Sequence, residues 1–382
     1  MTKIYLIRHA EAEGNLYRIV QGHFNSYITG KGQRQIAALA ERFKDIHLDA
    51  LYSSDLRRTV TTAGAITKYH ALPMQLEPRL REIHLGICEG MSFGDMRRLD
   101  PEQMDYFNND PERWRAEGAE TFAECTSRMV SIVTEIAERN DGKTVAIVSH
   151  GMAIRSLLAY ILGVASADIP SLPHGDNTAV SLLRFEGGSF TVEYYNDNSH
   201  LPEELSTFAK QSWWRKESGG VDMGNLSYEP LDMQKEGALY ERCYADAWLA
   251  AHGDLRDFNA PLYLSAAKAH CADDERAVLK VIRGEDELIG IVETDRRRSA
   301  GAGIGWISLV YLKEEYRGMG LGIQPLGRAI TDYQKLGRRA VRLHVSSENR
   351  HAVGFYEHYG FRIINREPGA GAPLYLMEKR FE

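Results

Sequence analysis

The first half of the chain alternates between short apolar runs and helical stretches. Residues 3–7, 49–53 and 143–149 are largely apolar runs without proline or glycine, as expected for buried strands. Between the first two runs, apolar positions recur at helical spacing over residues 36–43. Alternation of strands with helices predicts an α/β domain over residues 1–205.

The pattern changes in residues 226–382. A short strand is followed by two helical stretches, 236–251 and 260–271. Two alternating runs, 277–283 and 287–293, are then separated by a tight turn, which predicts a β-hairpin. Since hairpins join antiparallel strands, this region is predicted to be an α+β domain with a mostly antiparallel sheet.

Neither pattern continues through residues 206–225. This stretch combines charges with a Gly-Gly pair, so we predict a linker between the two domains. It also holds the adjacent Trp213 and Trp214, which we expect to pack against protein rather than stand in water.

Composition narrows the class of protein. Of 382 residues, 43% are apolar and 26% are charged, which is typical of a soluble globular protein. The net charge of −7 argues against nucleic-acid binding through bulk charge. Four widely spaced cysteines form no C-x-x-C pair, and no leader or membrane-length apolar run is present. We therefore expect a reduced, cytoplasmic protein without a metal site, a membrane partner or a nucleic-acid partner; its oligomeric state stays open.

Cationic side chains follow the predicted strands of the first domain. Arg8 and His9 come directly after the first strand, Arg58 opens the helix after the second, and His150 ends the third. The carboxyl ends of such strands meet at one crevice, and the helix N-termini there also favour anions. Arginine and histidine together suit a phosphorylated ligand.

An acidic residue, Glu82, lies in an alternating stretch and is also predicted at or just past a strand end. It could be an ordinary salt-bridge partner. Beside a bound phosphate, however, a carboxyl tends to keep its proton, because like charge disfavours ionisation. Glu82 is then a usable general acid.

Taken in order, these motifs resemble those of the histidine phosphatase (phosphoglycerate mutase-like) superfamily. The resemblance implies a three-layer α/β/α fold with a mostly parallel sheet, and a phosphatase that needs no metal. It rests on Arg8-His9 with Asn15, Gln21-Gly22, Ser54 to Ala63, Leu80-Arg-Glu82 with Gly86 and Glu89-Gly90, Ser149-His150-Gly151, and Asn196-Asp197 with His200-Leu201.

The resemblance also implies residue roles. His9 attacks phosphorus and carries the phosphoryl group, while Glu82 protonates the leaving alcohol. Such a covalent step divides one difficult displacement into two. The implied phosphate- and substrate-binding residues are Arg8, Asn15, Gln21, Gly22, Arg58, His150 and Gly151.

Some positions depart from the family's pattern. Ala10 and Ala12 replace a usual glycine and threonine, residues 25–29 replace the common Asp-x-Pro-Leu-Thr, and Asp55 stands where proline is frequent. These departures leave the substrate open. Glu82 and His150 are 68 residues apart, a short spacing that resembles the phosphatase branch more than the mutases, which remain an alternative.

A glycine-rich turn dominates the second domain. The predicted strand 305–312 leads into residues 317–322 and then a helix, so backbone amides can cradle a pyrophosphate. A dinucleotide-binding βαβ unit is the competing interpretation, but the preceding hairpin argues against it. A short helix over residues 352–358, preceded by Asn349, ends at Gly360.

These features resemble the Gcn5-related N-acetyltransferase (GNAT) family, which implies acetyl-CoA as co-substrate and an amine acceptor. Tyr356 would protonate the leaving thiolate, or is simply a half-buried core tyrosine. Glu293, His344 and Glu348 are candidate bases without priority, and a water could serve instead. The implied cofactor-binding residues are Val310, Leu312, Arg317, Gly318, Met319, Gly320, Leu321, Gly322, Asn349 and Tyr356.

The leading hypothesis is therefore a bifunctional enzyme that acts on a small phosphorylated metabolite and transfers acetyl from acetyl-CoA to an amine. In a second hypothesis, the GNAT domain only binds or senses CoA. A third is a phosphoglycerate mutase-type phosphotransferase, which bisphosphoglycerate dependence would reveal.

Overall fold

The computed structural model describes residues 1–208, 224–370 and 372–381. They form two compact units: the first contains residues 1–91 and 96–208, and the second contains residues 92–95, 224–370 and 372–381. Most of the predicted linker, together with both of its tryptophans, lies outside the described residues, so the domain boundaries stay predictions.

Among the described residues, the first unit contains six strands and seven α-helices, one of which begins in residues 93–95 of the second unit. Its strands are β1 (Thr2–Arg8), β2 (Ala50–Ser53), β3 (Met74–Leu76), β4 (Thr144–Ser149), β5 (Val180–Glu186) and β6 (Ser189–Asp197). Its helices are α1 (Glu13–Tyr17), α2 (Gly30–Phe43), α3 (Arg57–Thr67), α4 (Phe93–Leu99), α5 (Pro101–Asn109), α6 (Phe122–Arg139) and α7 (Gly151–Ile161).

The strands of this unit form one sheet in the order β3-β2-β4-β1-β5-β6. β1, β2, β3 and β4 are parallel to one another, whereas β5 pairs antiparallel with β1 and β6 pairs antiparallel with β5. The predicted α/β domain with a mostly parallel sheet is confirmed. In the central pair, Arg8 of β1 lies opposite Ser149 of β4, so both strands end at the same level.

Helices cover both faces of this sheet. Because side chains alternate along a strand, β1 contributes to the packing on each face. On β1, Tyr5 and Ile7 pack with residues of α2 and α3, whereas Ile4 and Leu6 face the other way and are also fully buried. α6 and α7 pack against each other and contact β1. The result is the three-layer arrangement that the resemblance implied.

The prediction that Glu82 lies at or just past a strand end is wrong. The alternating stretch that contains it is a loop between two short 3-10 helices, Pro78–Leu80 and Gly86–Cys88. Pro78 offers no amide for a strand ladder, and Gly86 has φ +56°, with no space for a Cβ beside the Glu117 carbonyl. Hydrophobic alternation alone was misleading here.

The second unit contains seven strands and four helices. The strands are β7 (Leu226–Pro230), β8 (Val278–Arg283), β9 (Glu287–Asp295), β10 (Ile304–Leu312), β11 (Ala340–Ser346), β12 (Arg362–Glu367) and β13 (Leu374–Arg380). The helices are α8 (Gly237–His252), α9 (Ala260–Asp273), α10 (Ile323–Lys335) and α11 (Arg350–His358).

The sheet of this unit has the order β12-β13-β11-β10-β9-β8-β7. Every neighbouring pair is antiparallel except β10 and β11, so the predicted mostly antiparallel sheet is confirmed. The parallel pairing stops at Ile307 and Leu343, and β10 has a bulge against β9 just beyond Ile307. β10 and β11 therefore separate at a cleft halfway along the sheet.

Within the described part of the chain, no helix combines the length and the apolar character needed to cross a lipid bilayer.

Candidate functional site

Two histidines meet where the central strands of the first unit end. His9 follows β1 and His150 follows β4, and their ring centroids are 5.3 Å apart. The parallel register of the two strands produces this pairing, since each histidine is the first residue beyond a strand end. The expected convergence of cationic and imidazole groups at one edge of the sheet is present.

His9 is 3% exposed and its ring orientation is fixed by the backbone. Nδ1 lies 2.7 Å from the Ala10 carbonyl oxygen, so Nδ1 carries the proton and donates it there. Burial first, and then Arg58 and Arg8, lower the pKa of His9 well below its usual value. The ring is therefore neutral near pH 7, and the Nε2 lone pair is available for attack on an electrophile.

Arg58, the second residue of α3, is 1% exposed and spans several parts of the site. It donates to the carbonyl oxygens of Phe24 at 3.0 Å and Gly22 at 2.7 Å, and its Nε donates to Nδ1 of His150 at 3.1 Å. Burial lowers the pKa of Arg58 to about 10, so the group stays a cation at neutral pH.

His150 is fully buried and bonded to protein at both ring nitrogens. Because Nδ1 accepts from Arg58, the proton resides on Nε2, which donates to Ser54 Oγ at 2.9 Å. Burial, followed by Arg58, lowers the pKa of His150 well below its usual value. His150 is thus a neutral donor whose orientation depends on an arginine and a serine.

Arg8 lies against the first turn of α7. Its Nη1 donates to the carbonyl of Gly175, and burial lowers the pKa of its guanidinium. A Cβ added to Gly151 would lie 3.3 Å from Nε of Arg8. Glycine at position 151 therefore permits the close approach of the guanidinium to the helix start.

Glu82 is bound by backbone amides. One carboxyl oxygen accepts from Ile83 at 3.1 Å and Ala153 at 2.8 Å, and the other accepts from Met152 at 3.1 Å. The carboxyl group thus occupies the N-terminus of α7, next to Gly151, where a negative group is favoured. This position places Glu82 at the helix start that directly follows His150, even though it is far from a strand end.

The three remaining predicted ligands serve the local fold in this structure. Asn15 Oδ1 accepts from the Ala12 amide at the start of α1. Gln21 Oε1 accepts from Ser26 Oγ, and the Gly22 carbonyl anchors Arg58. Their roles in binding phosphate or substrate stay predictions.

Sequence reasoning gave no site role to Ser54 and Glu89, which were noted only as motif residues, and it did not single out His23. Ser54 holds His150 and directly follows β2, so its place after a strand was an available signal. His23 Nε2 lies 2.9 Å from the Glu82 carbonyl oxygen, and its backbone amide donates to Glu89. Side-chain bonding between such distant residues leaves no pattern in the sequence.

The glycine-rich turn of the second unit fits a pyrophosphate cradle. Gly318 and Gly320 have φ of +73° and +77°, which favour glycine, and the turn is exposed up to Gly320. It leads directly into α10, and Arg317 Nε donates to the Leu312 carbonyl at 2.8 Å, tying the turn to the end of β10. Exposed amides at a helix start suit the phosphates of acetyl-CoA.

The cleft between β10 and β11 lies beside this turn. Val310 is half-buried there and Leu312 is buried. Tyr356 packs against Phe355 and Phe361, and burial raises its pKa to about 12. Its hydroxyl therefore keeps its proton at neutral pH, as a proton donor must.

Asn349 caps α11 by accepting from the Ala352 amide at 3.0 Å. Its place in the cofactor-binding set, like those of the other members, stays a prediction.

The three candidate bases of the second unit have different surroundings. Glu293 is 2% exposed and accepts from Tyr240 at 2.8 Å and from His270 at 2.7 Å. His344 is bonded to Glu367, whereas Glu348 is exposed. Glu293 and His344 are thus already hydrogen-bonded within the protein. The choice of general base among Glu293, His344 and Glu348 stays open.

Comparison with known families accounts for both units. The sequence model of the histidine phosphatase superfamily (branch 1) matches residues 4–198, and that of the acetyltransferase (GNAT) family matches residues 238–361. The predicted fusion of these two families in one chain is confirmed.

Relatives of known name match the first half. The chain is 30% identical over 203 residues to phosphoserine phosphatase 1 of Hydrogenobacter thermophilus, which covers 53% of this chain and 96% of that protein. It is 31% identical over 205 residues to phosphoglycerate mutase-like protein 4 of Arabidopsis thaliana, covering 53% and 87%. The solved structure of Bacillus stearothermophilus YhfR superposes with a TM-score of 0.51 at 33% identity, covering 52% of this chain and 99% of that one.

Proposed function

The chain belongs to the histidine phosphatase superfamily through its first unit and carries a GNAT acetyltransferase domain in its second, and from this premise we propose that it is a phosphomonoester hydrolase that forms a phosphohistidine on His9. One observation supports this most: a neutral His9 whose Nδ1 is bonded to the backbone, beside two buried guanidinium groups. That arrangement suits a nucleophile for an anionic substrate.

In the proposed first step, Nε2 of His9 attacks phosphorus and the bond to the alcohol oxygen breaks. Arg8 and Arg58 stabilise charge on the phosphoryl oxygens, and positioning with such stabilisation is most of what phosphoryl transfer requires. Glu82 gives a proton to the leaving alcohol, which requires the like charge of the bound phosphate to outweigh the three backbone amides that favour the carboxylate form. Water then attacks the phosphohistidine, Glu82 takes a proton from it, and inorganic phosphate leaves.

The substrate class that we propose is a small phosphorylated metabolite. Relatives that match the first unit over almost their whole length carry the names of a phosphoserine phosphatase and of a probable phosphoglycerate mutase, so both hydrolysis and transfer should be measured. A panel of phosphomonoesters, assayed for phosphate release with and without 2,3-bisphosphoglycerate, separates hydrolysis from transfer. A strict need for the bisphosphate would favour the mutase alternative.

We predict that His9→Ala abolishes phosphate release and also the acid-labile phosphate trapped on the protein by rapid quenching. The matched control is His47→Ala, because the His47 side chain is 82% exposed and pairs only with nearby Asp49 among the described residues. Turnover that survives in the His9 variant would exclude the proposed nucleophile.

For the second unit we propose acetyl transfer to an amine. Acetyl-CoA would supply the acetyl group; amides of the 317–322 turn would hold its phosphates, and the Tyr356 hydroxyl would hold the proton that the thiolate takes. The support is the combination of the exposed turn, the cleft beside β10 and the neutral tyrosine. An amine panel with acetyl-CoA, followed by thiol release, tests the activity.

The turn itself can be tested without an acceptor. Gly320→Ala forces a side chain into a left-handed backbone, at a cost of about 1 kcal/mol, and should weaken acetyl-CoA binding measured by calorimetry. Gly301→Ala is the control, since a Cβ there meets nothing within 4 Å. Undiminished binding in the Gly320 variant would contradict the cradle, whereas binding without any acetylated amine would favour the CoA-sensing alternative.

A further inference from the structure

A small cavity in the first unit shares part of its wall with the phosphate site. Arg8 and Gly151 line it, together with Arg155 of α7 and the apolar residues Leu158 and Ala179. The histidines His9 and His150 are not among the residues that line it. The cavity is therefore a separate space that meets the catalytic centre only through Arg8 and the start of α7.

Arg155 is a buried cation whose hydrogen-bond partners among the described residues include no carboxylate. Only 8% of the residue is exposed, and burial lowers the pKa of its guanidinium to about 10. Nη1 donates to His174 at 3.0 Å and Nη2 donates to the Leu172 carbonyl, whereas Nε is buried with no hydrogen-bond partner in the described structure. Buried charges in proteins are normally paired with an opposite charge, so this guanidinium is unusual.

The surrounding groups do not compensate this charge. Burial, then Arg155 and Arg8, lower the pKa of His174 to about 3, so its ring is neutral. Nε of Arg8 is likewise buried without a partner among the described residues. Asp176 and Glu82 stabilise the Arg8 cation by their charge, and each also accepts hydrogen bonds from other groups. Among the described residues, the cavity wall itself thus carries two cations and no carboxylate.

We propose that this cavity binds a small monovalent anion, of the size of a halide or formate, between the guanidinium groups of Arg8 and Arg155. Two guanidinium groups provide charge-assisted donors for such an ion. The apolar wall of Leu158 and Ala179 limits the space to a small ion rather than a phosphate ester.

The ion should weaken the binding of phosphorylated substrate, because both anions depend on the same arginine. Coupling of this kind is reciprocal and limited in size. Chloride in the cavity therefore raises KM for a phosphate ester to a plateau, whereas chloride that competes directly beside His9 raises KM without limit.

The kinetic test rests on the proposed phosphatase activity and uses p-nitrophenyl phosphate in gluconate buffer, with chloride replacing gluconate at constant ionic strength. We expect KM to rise roughly fivefold and then level off. Arg155→Met should abolish this rise. Arg184→Met should retain it, because Arg184 is 46% exposed on β5 and paired with Glu193. A rise without a plateau, or one that persists in Arg155→Met, would overturn the coupling.

A binding test is independent of turnover. Crystals of the full chain soaked in bromide should show an anomalous peak between Arg8 and Arg155, and soaks with added formate should displace it if carboxylates also bind. Ala179→Val narrows the cavity while both arginines remain, so it should remove the peak even if Arg155→Met fails to fold. A wild-type crystal without bromide at this place would refute the proposal whether or not the phosphatase is active.

Discussion

At the scale of single residues, neighbouring groups fix the tautomers of the two site histidines, His9 and His150, in different ways. The backbone carbonyl of Ala10 sets the tautomer of His9, whereas Arg58 and Ser54 together set that of His150. Each ring is neutral because burial and nearby guanidinium groups oppose its protonation. Of the neighbours Ala10, Arg58 and Ser54, Ser54 is the one whose polar group can be replaced with the least change in side-chain charge and volume.

Ser54→Ala should lower kcat/KM for a phosphate ester roughly fivefold, because a net hydrogen-bond contribution of about 1 kcal/mol to the orientation of His150 is lost. Ser53→Ala is the matched control: its hydroxyl is also buried, but it donates to the Ser54 carbonyl and makes no bond to either histidine. Equal effects of the two substitutions on kcat/KM would mean that Ser54 serves only packing.

At the scale of elements, the N-terminus of α7 contacts two residues of the candidate site, Glu82 and Arg8. The amides of Met152 and Ala153 bind Glu82, and Gly151 leaves space for Arg8. In the second unit, a different contact joins a helix to the sheet: His270 of α9 lies between Glu293 and Asp295 of β9, at 2.7 and 3.2 Å.

This contact predicts a pH-dependent stability. The hydrogen bond to Glu293 is the main cause that raises the pKa of His270, with the charges of Glu293 and Asp295 adding to it. A raised pKa contributes stability that is fully present below the unfolded value near 6.5 and is lost as pH rises through the folded value. The stability difference between wild type and His270→Gln should therefore be larger at pH 6 than at pH 9.

Hydrogen exchange of α9 amides in the full chain measures this difference. His351→Gln is a suitable control, since His351 is an exposed residue of α11 in the same unit. A difference that grows as pH rises would contradict the assignment of His270 as an imidazolium between two carboxylates.

At the scale of the whole molecule, the first unit is expected to be sensitive to acid. Five buried or half-buried histidines have pKa values lowered mainly by burial: His174 at about 3, His200 at about 4, His9 and His150 well below normal, and His23. Depressed values mean that stability is present above the unfolded pKa near 6.5 and falls as pH decreases, by up to about 1.4 kcal/mol per pH unit for each histidine.

Exchange of sheet amides in the first unit, followed from pH 7 to pH 5, should therefore show a steep loss of protection. His47→Gln should leave the slope unchanged because its side chain is exposed, whereas His200→Gln should reduce it. A first unit that becomes more stable towards pH 5 would show that these histidines accept protons without unfolding.

Most of the architecture was accessible from the sequence. Strand and helix periods, the break near residue 206 and two sets of ordered motifs identified both families and both sheet types, because those signals are local or depend only on chain order. The exception was the stretch around Glu82, where alternation suggested a strand and Pro78 and Gly86 produced a loop.

The bonding inside the sites was decided only by the tertiary structure. Sequence alone predicted that His9, Arg58, Glu82 and His150 belong to one site. It did not determine that His150 is held by Arg58 and Ser54, which are 92 and 96 residues away, or that Glu82 occupies the start of α7. The physical reason is that such hydrogen bonds depend on the packing of distant elements around a buried space, and no local pattern of residues encodes that packing.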